Sequence, residues 1–179
     1  MSAAGQILYL KIEQNCIVYK RSVTLQDIAE LCDIFYIGGT KVGALFGEAV
    51  VIKNPELAQD FRYLIKQNGG MLAKGRLLGL QFDALFTDGL YQVSSAHAIA
   101  MAEKLREAFT AKGYNYLAPN RTNQIFVIVP DAHLAKISEQ FEYSYDQRID
   151  ATHSCVRFCT GWATKEENVD ALIRCVEKL

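Results

Sequence analysis

A glycine-rich segment between two apolar stretches is the feature that most constrains how this chain can fold. Residues 34–37 are all large and apolar, and they lead directly into residues 38–47, where four of ten positions are glycine. Residues 48–53 then supply a second stretch that is rich in β-branched side chains. Because such stretches favour extended backbone and glycine has no Cβ to clash, the pattern predicts two strands joined by a loop that approaches another group closely.

Capping signals predict helices in the first two thirds of the chain. Thr24 with Asp27 three residues later forms a capping box, and Asn54 followed by Pro55 marks a second helix start. Apolar residues continue at helical spacing behind each signal. The predicted helices lie between Thr24 and Asp33 and over residues 55–67, 73–87 and 94–112.

After Gly113 the pattern changes to short strands. Strands are predicted over residues 114–117, 124–129 and 154–159, a helix over residues 131–141, and a last helix that begins with a capping box at residues 164–167. The change predicts an α/β chain with a domain boundary near Gly113. Residues 7–17 alternate as a strand does, but no capping or turn signal bounds them.

Composition excludes several classes of protein. Lys and Arg total 19 against 20 for Asp and Glu, and the chain lacks a dense basic run, so nucleic-acid binding is disfavoured. The apolar runs fall far short of the roughly 18 residues that a membrane span needs, and the first residues lack the pattern of a secretory signal. Five scattered cysteines suit reduced thiols better than disulfides. We therefore expect a cytoplasmic protein with no membrane or nucleic-acid partner.

Lys41 is the first candidate for chemistry. It lies among the loop glycines beside apolar neighbours and has no adjacent acid. Desolvation lowers the pKa of a lysine, and a neutral amine can attack an aldehyde to form a Schiff base. The alternative is a solvent-exposed lysine in a simple strand connection. A phosphate-binding P-loop is set aside, because the order of glycine, lysine and hydroxyl residues that it requires is absent.

Arg157 is the second candidate. On a strand over residues 153–159 it projects with Cys155 and Cys159, away from the apolar face. A guanidinium among apolar and thiol neighbours should meet a carboxylate, which belongs either to this chain or to a ligand. No metal is expected, because two cysteines four residues apart on a strand are about 13 Å from each other, too far to share one zinc ion.

Other charged residues have simpler interpretations. Lys74 and Arg76 could reach an anion, but two cations in the first turns of a helix are more often a solvated face. His97 and His133 lie in predicted helices without an acid or thiol at metal-ligand spacing. Neither histidine is therefore predicted to bind a metal.

Residues 35–41 and 47–52 resemble the threonine aldolase and β-eliminating lyase family of pyridoxal phosphate (PLP)-dependent enzymes. The resemblance continues through residues 69–71, 123–127 and 156–164, so it covers about residues 23–179 in register. It implies the C-terminal part of the PLP-dependent transferase-like fold, known as fold type I. By this resemblance, residues 23–112 are a remnant of the PLP-binding large domain, residues 113–179 are a small C-terminal α/β domain, and residues 1–22 match nothing.

The same resemblance assigns roles to the candidate residues. Lys41 matches the lysine that forms a Schiff base with PLP, and Thr40 lies beside it among the cofactor-binding residues. Arg157 matches the arginine that binds the α-carboxylate of an amino-acid substrate. The implied reaction cleaves the Cα–Cβ bond of a β-hydroxy amino acid to give glycine and an aldehyde, and the implied assembly is a homodimer or larger homo-oligomer.

The family's remaining cofactor-binding residues precede the lysine, and the 40 residues before Lys41 do not match them. We therefore expect a truncated chain with little independent activity. Two alternatives remain open: a non-catalytic assembly fragment of such an enzyme, and an aminotransferase, which shares the fold and the lysine.

Overall fold

Two antiparallel strands enclose the glycine-rich loop, as predicted. The computed structural model describes residues 24–179, so the strand-like stretch at residues 7–17 lies outside the described residues. Strand β1, Ile34–Gly38, pairs with strand β2, Glu48–Ile52, from Ile34↔Ile52 to Gly38↔Glu48. β1 is less buried than its apolar sequence predicts, because only alternate side chains face the core: Ile37 is 6% exposed, whereas Ile34 is 47% exposed.

The predicted capping box at Thr24 is confirmed. Helix α1, Leu25–Leu31, begins with Asp27 N donating to Thr24 Oγ1 at 3.2 Å, while Thr24 N donates to the Asp27 carboxylate at 2.6 Å. The hydrogen bond from the Thr24 backbone lowers the pKa of Asp27. The helix therefore starts where the sequence indicates.

The helix predicted behind Pro55 is interrupted. Asn54 accepts a hydrogen bond from Glu56 N at 3.0 Å and caps helix α2, Pro55–Ala58, but Asp60 then has a φ of 57°. A left-handed residue breaks the helical hydrogen-bond ladder, and aspartate tolerates this conformation better than most residues. Helix α3, Phe61–Gln67, follows as a separate element.

Two further helices complete this part of the chain. Helix α4 is Arg76–Phe86, a 3-10 turn covers Thr87–Gly89, and helix α5 is Leu90–Ala111. α5 ends at Ala111, two residues before Gly113, whose φ of 84° suits a glycine.

The described residues form two compact units. The first comprises residues 24–93 and the second Ser94–Leu179, so the boundary falls inside α5, whereas the sequence placed it at the end of this helix. The first unit has a small core, made of Ile37, Val42, Ala44, Leu85 and Tyr91.

The second unit is a four-stranded antiparallel sheet covered on one face by helices. Its strand order is β3-β4-β6-β5, and its core joins the sheet to α5 and to the last two helices. The strands are β3, Asn115–Tyr116; β4, Gln124–Pro130; β5, Ser144–Arg148; and β6, His153–Cys159, and the helices are α6, Asp131–Ile137, and α7, Glu166–Glu177.

The structure of the second unit differs from the sequence predictions in two places. β5 was not predicted, because its five residues are all exposed and lack alternating apolar side chains. The prediction of a capping box at residues 164–167 is wrong, since the N-cap residue of α7 is Lys165, which makes no side-chain hydrogen bond to the helix. Thr164 instead accepts a hydrogen bond from Gly161 N at 2.8 Å, so its hydroxyl closes the preceding turn.

Among residues 24–179, no helix combines the length and the apolar character needed to span a lipid bilayer.

Candidate functional site

Lys41 lies at the surface of the turn that follows β1. Val42 N and Ala44 N both donate to the carbonyl of Gly39 at 3.0 Å, which closes the turn. Val42 and Ala44 are 4% and 9% exposed and belong to the core, whereas Thr40 and Lys41 are exposed. Of the two interpretations that the sequence left open, the structure shows a solvent-exposed lysine. The apolar neighbours pack inward and leave its side chain accessible, so they do not desolvate it.

Packing against α4 explains two of the loop glycines. A Cβ on Gly39 would lie 2.7 Å from Ala44 Cβ and 3.0 Å from Phe82 Cζ. Gly47 has a φ of 97°, and a Cβ there would lie 2.2 Å from Leu78 Cδ2. The close approach that the sequence predicted is thus made by the chain's own helix.

The Lys41 amine is available for covalent chemistry. Within the described part of the chain it has no ion-pair partner. A lysine that reacts with an aldehyde must be reachable and must not be held by a carboxylate. The exposed amine is reachable and unpaired among the described residues, but the structure does not show the desolvation that the sequence analysis linked to its reactivity.

Arg157 occupies a central strand of the second unit. In the sheet register it pairs with Phe126 on β4 and with Ser144 on β5. One terminal nitrogen of its guanidinium donates to Ser144 Oγ at 3.5 Å, the outer limit of a hydrogen bond.

The Nε atom of Arg157 is buried and has no hydrogen-bond partner among residues 24–179. The carboxylate that the sequence predicted beside this arginine is therefore not supplied by any described residue. A buried nitrogen of a charged group without a partner is costly, and a carboxylate ligand would supply a strong, charge-assisted partner.

Arg157 lines a cleft that belongs wholly to the second unit. The cleft has a volume of about 370 Å³. Buried side chains of Leu105, Phe158, Val169 and Leu172 form apolar walls. Its polar lining consists of Glu142, Ser144, Arg157, Thr160, Thr164 and Asn168, with Tyr143 and Cys159 beside them.

Hydrogen bonds fix the turn that follows Arg157. Asn123 Nδ2 donates to the Thr160 carbonyl at 2.6 Å, and Thr160 N donates back to the Asn123 carbonyl at 3.0 Å. Thr160 Oγ1 donates to the Ala98 carbonyl at 2.6 Å, and His97 Nε2 donates to the Thr164 carbonyl at 2.7 Å. The wall of the cleft formed by residues 160–164 is thereby tied to α5 and to the start of β4.

Three polar residues of the cleft escaped the sequence analysis. Ser144 lies on the strand that was not predicted, and Glu142 lies two residues before the start of that strand. Asn168 lies in the first turn of α7 and resembles any exposed helical amide in sequence. Only the pairing of β5 with β6 places Ser144 opposite Arg157, and the exposed residues of β5 gave no hydrophobic pattern from which to predict that pairing.

The remaining sequence candidates have local roles. Lys74 and Arg76 are exposed, and Tyr114 and His133 Nδ1 share a hydrogen bond of 2.6 Å. Over the described ranges, the structure contains no cluster of three or more His, Cys, Asp or Glu residues able to hold a metal ion.

Thr40 and Lys41 belong to the first unit and Arg157 to the second. Each unit therefore carries one part of the predicted site: the accessible amine in the first, and the guanidinium with its cleft in the second.

Two curated proteins to which this chain is similar share the same name. The chain is 30% identical to the low specificity L-threonine aldolase of Pseudomonas sp. (strain NCIMB 10558) over 141 residues, which are 78% of this chain and 40% of that protein. It is 28% identical to the protein of the same name from Pseudomonas aeruginosa over 143 residues, again 40% of that protein. The chain thus spans about two fifths of the length of the curated relatives that it matches. No family model matches it.

Solved structures agree with these relatives. The threonine aldolase of Leishmania major superposes with a TM-score of 0.84 at 38% identity, over 88% of this chain and 46% of that chain. The serine palmitoyltransferase of Sphingomonas wittichii superposes with a TM-score of 0.59 at 16% identity, over 88% of this chain and 42% of that chain, which shows a shared fold alone. The predicted fold class, α/β and part of the PLP-dependent transferase-like fold, is confirmed.

Proposed function

Since this chain belongs to the threonine aldolase family, we propose that it takes part in PLP-dependent cleavage of β-hydroxy amino acids. The products would be glycine and an aldehyde. The proposal extends the activity printed in the names of the relatives to a chain that covers about two fifths of their length.

Arg157 carries substrate recognition in this proposal. The buried Nε without a partner is the single observation that supports it most directly. An α-carboxylate that displaces the atoms covering Nε could accept hydrogen bonds from Nε and a terminal nitrogen of the guanidinium at once, which fixes the orientation of the amino acid. The turn at residues 160–164, which follows the strand of Arg157, is held by hydrogen bonds to Asn123 and Ala98.

Lys41 carries cofactor attachment in this proposal, and Thr40 lies beside it. The accessible amine suits condensation with the aldehyde group of PLP. PLP, when bound, supplies an electron sink for the negative charge that bond cleavage leaves on the amino acid. Lys41 would hold the cofactor, and Arg157 would hold the substrate carboxylate.

The first test is spectroscopic. Addition of PLP to the purified chain should produce the visible absorption band of an imine, and Lys41→Ala should abolish it. Lys74→Ala removes another exposed lysine of the same unit and should leave the band intact. A band that survives Lys41→Ala, or no band in the unaltered chain, would count against the proposal.

The second test addresses Arg157. Loss of a charge-assisted hydrogen bond costs about 1.5–3 kcal/mol, so Arg157→Gln should raise the KM for L-threonine by about 10- to 100-fold. The imine band should persist in this variant, because Lys41 is unchanged. An unaltered KM would show that the carboxylate binds elsewhere.

A further inference from the structure

Glu142 and Arg157 are the two charged residues that line the cleft of the second unit. Neither is paired with an oppositely charged side chain anywhere in the part of the chain that the structure describes. The nearby Lys104 is already engaged by Glu166 and, at 3.2 Å, by Asp170. The cleft therefore presents one unpaired anion and one unpaired cation to whatever enters it.

The size of the cleft keeps these charges within electrostatic reach of a ligand. A sphere of 370 Å³ is about 9 Å across, close to the Debye length of about 8 Å at physiological ionic strength. A ligand carboxylate bound at Arg157 leaves the rest of the ligand facing a lining with one acid and no second base. A second carboxylate on that ligand would meet repulsion without compensation.

We propose that Glu142 is a specificity-determining residue that rejects amino acids with a negatively charged side chain. Arg157 binds the α-carboxylate, and Glu142 disfavours a second carboxylate in the same cleft, so the accepted ligands carry a neutral or cationic side chain. The inference rests on the proposed function only for the class of ligand, an α-amino acid. Charge repulsion of this kind gives selectivity without any new attractive contact.

The width of the cleft sets the scale of the discrimination. Two like charges separated by that width, about 9 Å, repel by an amount that corresponds to about 2- to 20-fold in affinity, between the dielectric of water and that of a protein surface. Because Glu142 is exposed, salt should weaken the effect. The moderate size of the discrimination and its weakening by salt distinguish a charge effect from a steric one.

Trp162 offers a direct probe of binding without cofactor. It is the sole tryptophan of the chain, and it lies between Thr160 and Thr164, which line the cleft. L-threonine, L-lysine and L-aspartate would be titrated into the purified chain, with Trp162 fluorescence and calorimetry read in parallel. We expect L-aspartate to bind about 2- to 20-fold more weakly than L-threonine, and L-lysine to bind no more weakly than L-threonine.

Variants then test the role of Glu142. Glu142→Gln should bring L-aspartate to within about 2-fold of L-threonine, as should about 1 M salt, at which the Debye length falls to about 3 Å. Glu139→Gln removes an exposed acid outside this cleft and should leave the ratio unchanged. Arg157→Gln should weaken binding of all three amino acids by about 10- to 100-fold.

Two outcomes would overturn the inference. One is an aspartate-to-threonine ratio that Glu142→Gln does not change, and the other is calorimetry that detects no amino-acid binding by the unaltered chain. Neither outcome decides the proposed function, because the imine band that depends on Lys41 is measured without an amino acid. A missing imine band together with the expected ratios would instead refute the proposed function and leave the role of Glu142 standing.

Discussion

At the residue scale, Asp150 shows how one side chain organises the turn between β5 and β6. Its Oδ1 accepts hydrogen bonds from Thr152 N at 2.7 Å and from His153 N at 2.9 Å. The backbone hydrogen bond from Thr152, followed by the side chain of His153, lowers the pKa of Asp150 from 3.8 to about 2. A lowered folded-state pKa means that this carboxylate stabilises the fold above pH 3.8 and loses its effect as the pH falls through about 2.

We therefore predict that the carboxyl carbon of Asp150 titrates with a midpoint near pH 2 in an NMR experiment. Asp150→Asn should remove this titration and leave the other acids unchanged. A midpoint near the ordinary value of 3.8 would show that the turn does not hold the charged form.

The two cysteines of β6 should differ in reactivity. Burial raises the pKa of the Cys155 thiol, whose side chain is 0% exposed, while Cys159 is exposed. Because the thiolate is the reacting form, a short pulse of iodoacetamide under native conditions should label Cys159 well before Cys155. Peptide mapping by mass spectrometry reads the order, and equal labelling would contradict the burial of Cys155.

At the element scale, contact with α4 shapes the loop that carries Lys41. Gly47→Ala would force a side chain into a left-handed backbone and to within 2.2 Å of Leu78 Cδ2. We expect a loss of about 1–3 kcal/mol in the free energy of unfolding. Gly79 lies inside α4 with open space around it, so Gly79→Ala should stabilise by about 0.5–1 kcal/mol. Chemical denaturation measures both, and equal effects of the two substitutions would contradict the packing described for the loop.

Local signals in the sequence identified the elements that local interactions determine. The capping box at Thr24 and the stop at Gly113 need only neighbouring residues, and both are present. Strand β5 depends on pairing with β6, and the break at Asp60 depends on a single backbone angle. Neither leaves a hydrophobic pattern, so sequence periodicity alone does not predict them.

For the candidate site, too, the sequence identifies some features, and others depend on tertiary packing. Residue type and spacing singled out Lys41 and Arg157 in the sequence. The exposure of Lys41 and the unpartnered Nε of Arg157 depend on tertiary packing, as does the presence of Glu142 in the cleft. The sequence thus indicated the two groups proposed to bind cofactor and substrate, and the structure adds the group proposed to select among ligands.

At the scale of the whole molecule, the two units differ in how well they bury apolar residues. The second unit has an extensive core, whereas residues 24–93 of the first unit include five buried hydrophobic residues and leave Leu31, Leu45 and Tyr63 exposed by 85%, 84% and 74%. Large exposed apolar side chains favour association. We therefore predict that the chain forms dimers or larger homo-oligomers.

Light scattering coupled to size exclusion tests this prediction. The expected mass is a multiple of 20.0 kDa that falls towards 20.0 kDa on dilution. Replacing Leu45 by Ser should shift the equilibrium towards the monomer, because Leu45 is exposed and lies outside the core. A concentration-independent mass of 20.0 kDa would contradict self-association.

Covalent trapping of the cofactor tests the central claim most directly. The purified chain would be incubated with PLP, reduced with borohydride and digested, and the modified lysine located by mass spectrometry. The proposed function predicts that Lys41 carries the label in preference to the other exposed lysines, Lys74 among them. Label spread evenly over the exposed lysines, or concentrated on a lysine other than Lys41, would contradict it.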